Sequence, residues 1–123
     1  MRDLTHTLPD QLPGINVAFG LKQCLGKQDL LMTLLEKFWE DYHNASNSLG
    51  SADHSLESRN QLLHDIQGAA TNIGLAELSE QCQQLRELLN ASEVLENEPV
   101  ERFHMELEKI GSSIKTLDSL IQS

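Results

Sequence analysis

The sequence predicts an all-α protein, an antiparallel up-down-up-down four-helix bundle with a short N-terminal helix capping one end. Three observations predict it. Apolar residues return at spacings of three and four in four long stretches. No stretch sustains the apolar/polar alternation that a half-buried strand needs. The stretches are parted by brief breaks around Gly26, Gly50, Gly74 and Pro99, and short connections make neighbouring helices antiparallel.

Taken in order, residues 1–11 are polar and aperiodic and read as a flexible N-terminal segment or linker, which leaves 12–123 as one domain. Leu12-Pro-Gly-Ile15 is a turn into a short helix from about Asn16 to Leu25, closed by Gly26. A long helix follows from about Gln28 to Leu49, with Leu31, Leu34, Leu35, Phe38, Tyr42 and Ala45 on its apolar side. Gly50-Ser-Ala-Asp53 breaks it. The next helix spans about Ser55 to Ile73, with Gly74 fitted for its C-terminal cap. Leu75, Leu78, Cys82, Leu85 and Leu89 mark a further helix to about Ala91. Pro99 suits a first helical turn, and Val100, Phe103, Leu107, Ile110, Ile114, Leu117 and Ile121 carry the last helix.

The chain of 123 residues is 39% hydrophobic, enough for one domain with a real core. Three prolines and seven glycines are too few for a disordered or fibrous chain. A formal charge of −10 opposes phosphate backbones and anionic lipid, which argues against nucleic-acid partners and direct membrane contact. Cys24 and Cys82 fall in apolar helical patterns and read as core residues of a reducing compartment. No apolar run approaches the roughly 18 residues that span a bilayer, and the N-terminus lacks a signal-peptide core. A cytoplasmic protein, or a cytoplasmic piece of a larger one, is expected. A closed, acidic bundle should be monomeric.

The segment His64 to Gly74 is the most informative. At about 100° per residue, Leu62, Ile66, Ala69 and Ile73 cluster on one side of its helix, and His64 points almost opposite. Glu57, Asn60, Gln61, Gln67, Gly68 and Thr71 surround it, which argues against a satisfied core histidine and leaves an ordinary surface histidine open. If the helices flanking Gly74 form a hairpin, residues equidistant from that turn pair, and His64 lies level with Leu85 and Arg86. The break near Ser51–Ala52 brings Glu40, with Trp39 and His43, to the same level. A metal-binding bundle would need two inward Glu-x-x-His pairs; Glu101-Arg-Phe-His104 has that spacing. His6, His43, His54 and His104 read as surface residues.

The ordered set His64-x-x-x-Gly68-x-Ala70-x-x-Ile73-Gly74-x-x-x-Leu78-x-x-x-Cys82-x-x-Leu85 resembles the signature of histidine-containing phosphotransfer (Hpt) domains, four-helix modules of multistep two-component phosphorelays. Leu12-Pro-Gly-Ile-Asn16, Gly20-Leu21, Gly26, Leu34-Leu35 and Phe38 resemble the segment opening such domains at the C-terminus of bacterial hybrid sensor kinases, so the similarity covers about residues 12 to 121. A kinase dimerisation domain also presents a helical histidine; Asp65 fits it, but Gln67-Gly-Ala-Ala does not.

The resemblance implies a phosphohistidine carrier, not an enzyme with its own ATP-binding module. His64 would take a phosphoryl group from a receiver-domain aspartate and pass it to another. Such transfer needs an in-line nucleophile, room for the donor and charge stabilisation, and imidazole, with a reference pKa of roughly 6.5, is largely unprotonated at neutral pH. No cofactor of its own is expected, Mg²⁺ arriving with the receiver. Gly68 would clear space for the partner, with Glu36, Lys37, Glu40, Gln61, Gln67 and Thr71 as further docking candidates. Two residues depart from the family pattern: Gln67 stands where a basic residue is usual, and Arg86 where an acidic or amide residue is common. The expectation drawn from this is that cationic support for the phosphoryl group has moved to Arg86, with Gln67 keeping a donor role. Two alternatives stay open: Arg86 pairs with Glu40 or a carboxylate of its own helix, and the domain is a binding-only adaptor that docks a receiver or kinase without phosphotransfer.

Overall fold

A computed structural model describes residues 8–50, 55–92 and 94–122. The protein is all-α apart from one small hairpin. Strands β1 (Gln11–Leu12) and β2 (Ile15–Asn16) lead into helices α1 (Val17–Gln23), α2 (Gln28–Tyr42), α3 (Ala45–Leu49), α4 (Leu56–Asn72), α5 (Ala76–Ser92) and α6 (Asn97–Gln122). Helix α4 packs on α5, α5 on α6, α6 on α2 and α2 on α4, closing a ring around the core. The contacts run in opposite chain directions: Trp39 meets Gly111, whereas further along Ser46 bonds His104. Likewise Glu77 of α5 lies 3.6 Å from Lys109, while Leu88 shares a groove with Pro99 at the other end.

The apolar stripes of α5 and α6 fall where periodicity places them, with Leu75, Leu78, Cys82, Leu85, Leu89, Phe103, Leu107, Ile110, Ile114, Leu117 and Ile121 all buried. Three expectations are corrected. The core stripe of α4 is Leu63, Ile66, Ala70 and Ile73, one step round from the predicted one, and Leu62 and Ala69 sit at its margin. On α2 the buried residues are Leu31, Met32, Leu35 and Phe38, and Leu34 stays 39% exposed. The predicted helix to Leu49 is interrupted at His43–Asn44. There the His43 ring donates from Nδ1 to the Trp39 carbonyl, which already accepts the His43 backbone N–H. The bend turns Ala45, Ser46 and Leu49 inward against α6.

The N-terminal hairpin is anchored from both sides. Pro13 and Gly14 (φ +81°) form its turn, the pairing of proline with a left-handed glycine that a type II turn uses. Ser113 donates to the Pro13 carbonyl over 2.6 Å, and Asn16 N–H donates to the Gly74 carbonyl over 2.7 Å. Leu8 is buried, and the Asp10 carbonyl accepts from Ala18 N–H. The packed body therefore includes Leu8–Gln11, which the sequence assigned to a flexible segment; residues 1–7 of that segment lie outside the described residues. Beneath the turn Glu106 is only 3% exposed. Its Oε1 lies 3.0 Å from Lys109 Nζ, and its Oε2 is buried without a partner.

Among the described residues no helix is long and apolar enough to cross a membrane. Cys24 and Cys82 are buried free thiols. Burial pushes the Cys82 thiol up to about 12, against the opposing pull of the Arg86 charge one turn away.

Candidate functional site

Helix α4 carries the site because both of its ends are fixed. Ser55 caps it by accepting from Ser58 N–H over 3.0 Å, a side-chain acceptor for an otherwise unpaired first-turn donor. At the other end Gly74 takes φ +87°, and Leu75 N–H returns to the Ala70 carbonyl over 2.9 Å. A Cβ on Gly74 would collide with the Asn16 carbonyl, so the hairpin and the end of α4 interlock there.

With α4 turned by its core stripe, His64 is exposed on the outer face. It lines a shallow open depression with Gln67, Gly68, Thr71, Asn72 and Arg86. Gly68 is unlike the other helical glycines. A Cβ there would meet nothing within 4 Å, whereas at Gly111 it would meet the Trp39 ring at 2.5 Å. Packing demands glycine at 111; nothing inside the molecule demands it at 68.

The α4–α5 hairpin has the register read from its turn. Asn60 bonds Asn90 over 2.8 Å, Gln67 bonds Gln83 over 3.1 Å, and Thr71 bonds Ser79 over 2.7 Å. Each pair sits symmetrically about Leu75. Arg86 thus reaches the His64 face, and its Nη1 donates to Gln67 Oε1 over 3.0 Å. Among the described residues Arg86 forms no ion pair, with Glu40 or with its own helix. Its Nε is buried without an acceptor.

The other candidates are placed less centrally. Gln61 is exposed one turn before His64, where its amide donates to Asp65 over 2.8 Å and it lines a separate hollow with Ser55, Glu57 and Ser58. Glu36, Lys37 and Glu40 are exposed on α2, with Lys37 3.3 Å from Asp41, and none lines the depression. Trp39 turns away onto Gly111 of α6. Of the remaining histidines, His43 is exposed, and His104 bonds Ser46 over 2.9 Å and lies 3.2 Å from Glu108; His6 and His54 lie outside the described residues. The depression also contains Asn72, which the sequence reading missed although it falls two turns from His64 on the Gly68 line. Gln83 was missed too, although it is the residue the hairpin register pairs with Gln67. Among the described residues no group of three or more His, Cys, Asp or Glu side chains could hold a metal ion.

Comparison with protein families gives a match to the Hpt domain over residues 2–113. The chain is an Hpt domain. Searches of curated proteins and of solved structures gave no match. Hpt domains are phosphotransfer carriers rather than kinases and work with receiver domains, which gives this chain a general role in phosphorelay histidine phosphotransfer. Gln67 and Arg86, the two residues that the sequence reading set apart from the family pattern, bond each other at the histidine's depression.

Proposed function

We propose that this Hpt domain is a cytoplasmic, monomeric intermediate between two receivers, with His64 as its phosphoryl acceptor. The observation that carries the reading is the depression itself. An exposed imidazole stands one turn from a glycine with open space above it, beside an arginine that no carboxylate holds among the described residues. In the forward step the lone pair of the unprotonated ring nitrogen forms the N–P bond. The P–O bond of the receiver's aspartyl phosphate breaks, and its electron pair leaves with the aspartate carboxylate. The return step onto a second receiver reverses this. Mg²⁺ held by the receiver neutralises charge on the moving phosphoryl group. Arg86 supplies the matching positive charge from the Hpt side, where a charge-assisted bond is roughly twice as strong as a neutral one. The partner approaches over Gly68, Gln67 and Thr71, with Gln61 and the α2 residues Glu36, Lys37 and Glu40 at the edges of the contact.

Phosphoramidate, a small phosphoryl donor, tests the acceptor without a partner. Intact mass should show one acid-labile phosphoryl group on wild type and none on His64→Gln. An unmodified wild type with an intact circular dichroism spectrum would sink the carrier reading and leave a binding-only adaptor. Arg86→Ala should lower phosphotransfer and Gln67→Lys should restore it in that background; an Arg86→Ala variant with unaltered transfer would refute the relocated charge.

A further inference from the structure

Two side-chain amides, Gln67 of α4 and Gln83 of α5, link the two helices near His64, and the groups at the ends of the chain they form settle how both are turned. Arg86 Nη1 donates to Gln67 Oε1 over 3.0 Å, Gln67 Nε2 donates to Gln83 Oε1 over 3.1 Å, and Gln83 Nε2 donates to Glu87 Oε2 over 3.4 Å. A guanidinium can only donate and an ionised carboxylate can only accept. With one at each end, neither amide can flip without setting donor against donor or acceptor against acceptor. The oxygen of Gln67 therefore faces Arg86, and one of the two N–H donors of its NH₂, expected from the sequence to serve the phosphoryl group, is taken by Gln83.

An amide oxygen repels a phosphoryl oxygen, so the end of Gln67 that faces Arg86 is suited to hold the guanidinium. It holds it loosely. The bond is to a neutral acceptor, Arg86 forms no ion pair among the described residues, and its Nε is buried without an acceptor. A phosphoryl group on His64 would offer the guanidinium charged acceptors across the same depression, each bond roughly twice as strong as the one given up. A carboxylate at position 67 would remove that bias. We infer that Gln67 and Gln83 are positioning residues that hold Arg86 in reserve, and that Arg86 leaves Gln67 for the phosphoryl oxygens once His64 carries them. This rests on the carrier reading above and adds to it a change of partner and a role for α5.

The test uses ¹⁵N-labelled protein treated with phosphoramidate. The Arg86 side-chain resonance and the Gln67 amide pair should shift together as the phosphohistidine phosphorus signal grows, and stay fixed in His64→Gln. Gln67→Glu, similar in shape, should slow phosphorylation about tenfold by pairing with Arg86. Gln83→Ala should slow it severalfold in wild type and have no effect in Arg86→Ala, because its role passes through the arginine. Unmoved Arg86 and Gln67 signals on a fully phosphorylated protein would overturn the inference and spare the carrier reading. So would an equal Gln83→Ala effect with and without Arg86. A wild type that takes up no phosphoryl group would overturn both.

Discussion

Replacing Gly68 by alanine should make the protein more stable and a poorer phosphorelay partner at once. Glycine inside a helix is about 1 kcal/mol worse than alanine, and a Cβ at position 68 meets nothing within 4 Å that could offset the gain. The full 0.5–1 kcal/mol or so should therefore appear, raising Tm by about 2–5 °C for a chain of this size. With the receiver docked over Gly68 as proposed, the same methyl would stand in its path. An overpacked contact costs about 1–3 kcal/mol, a fall of roughly five- to 150-fold in transfer. Thermal unfolding followed by circular dichroism reads the first effect, and receiver-to-Hpt transfer resolved on a phosphate-affinity gel reads the second. Phosphoramidate labelling of the variant should be nearly unchanged, because so small a donor has no surface to clash. A lower Tm would show that the space above Gly68 is not free. A higher Tm with undiminished receiver transfer would show that no partner uses it.

Other substitutions test the frame around the site. Gly111→Ala should lose about 1–3 kcal/mol, because its Cβ would lie 2.5 Å from the Trp39 ring; unfolding in urea measures it. Gly74→Ala should lose about as much, from its positive φ alone, and amide exchange should rise at Asn16 and Leu75 together if hairpin and helix end are interlocked. Cys82, raised by burial from 9.0 to about 12, keeps its proton in the folded state after the unfolded chain has lost it. Its contribution is whole below pH 9 and declines at about 1.4 kcal/mol per pH unit above it, a slope that urea titrations at pH 8–11 should find in wild type and miss in Cys82→Ala. Lys109 is raised above 10.5 by its hydrogen bond to Glu106 and by the Glu106 and Glu77 charges, so its contribution persists through neutral pH and is lost only as pH climbs past that raised value. Lys109→Ala should lower Tm by stranding the buried Glu106, and Lys109→Ala/Glu106→Gln should regain most of the loss.

The elements easiest to read in the sequence are those where a single solution satisfies the chain. Between Leu75 and Leu89 every large residue but Leu88 falls on one stripe, so α5 has only one face to bury. On α2 the run Leu30, Leu31, Met32, Leu34, Leu35 is nearly continuous, and periodicity alone cannot tell which members face inward; contacts with α6, α4 and α1 decide it. On α4, Leu62 and Leu63, like Ala69 and Ala70, are equivalent neighbours, and packing against α5 selects the second of each. The break at His43 carries no proline or glycine; what marks it is a second bond to the Trp39 carbonyl, from the His43 ring beside its own backbone N–H. In the depression, the hairpin register by itself puts Arg86 on the His64 face. The orientation of Gln67 was not accessible that way, since it is imposed by Arg86 and Glu87 at the two ends of a four-residue chain.

The openness of the depression has a consequence for timing. Among the described residues none covers His64, so on the proposed reading its cargo ages at a pace set by N–P chemistry in solvent. The protein governs delivery instead. With association at about 10⁵–10⁷ M⁻¹s⁻¹, a receiver at about 1 μM is met every ~0.1 to 10 s. A phosphoryl group that outlasts that interval is handed on, and one that waits longer for a scarce receiver is lost to water. The memory of the signal would then reside in receiver abundance and affinity, and the carrier would act as a clock that runs down between meetings.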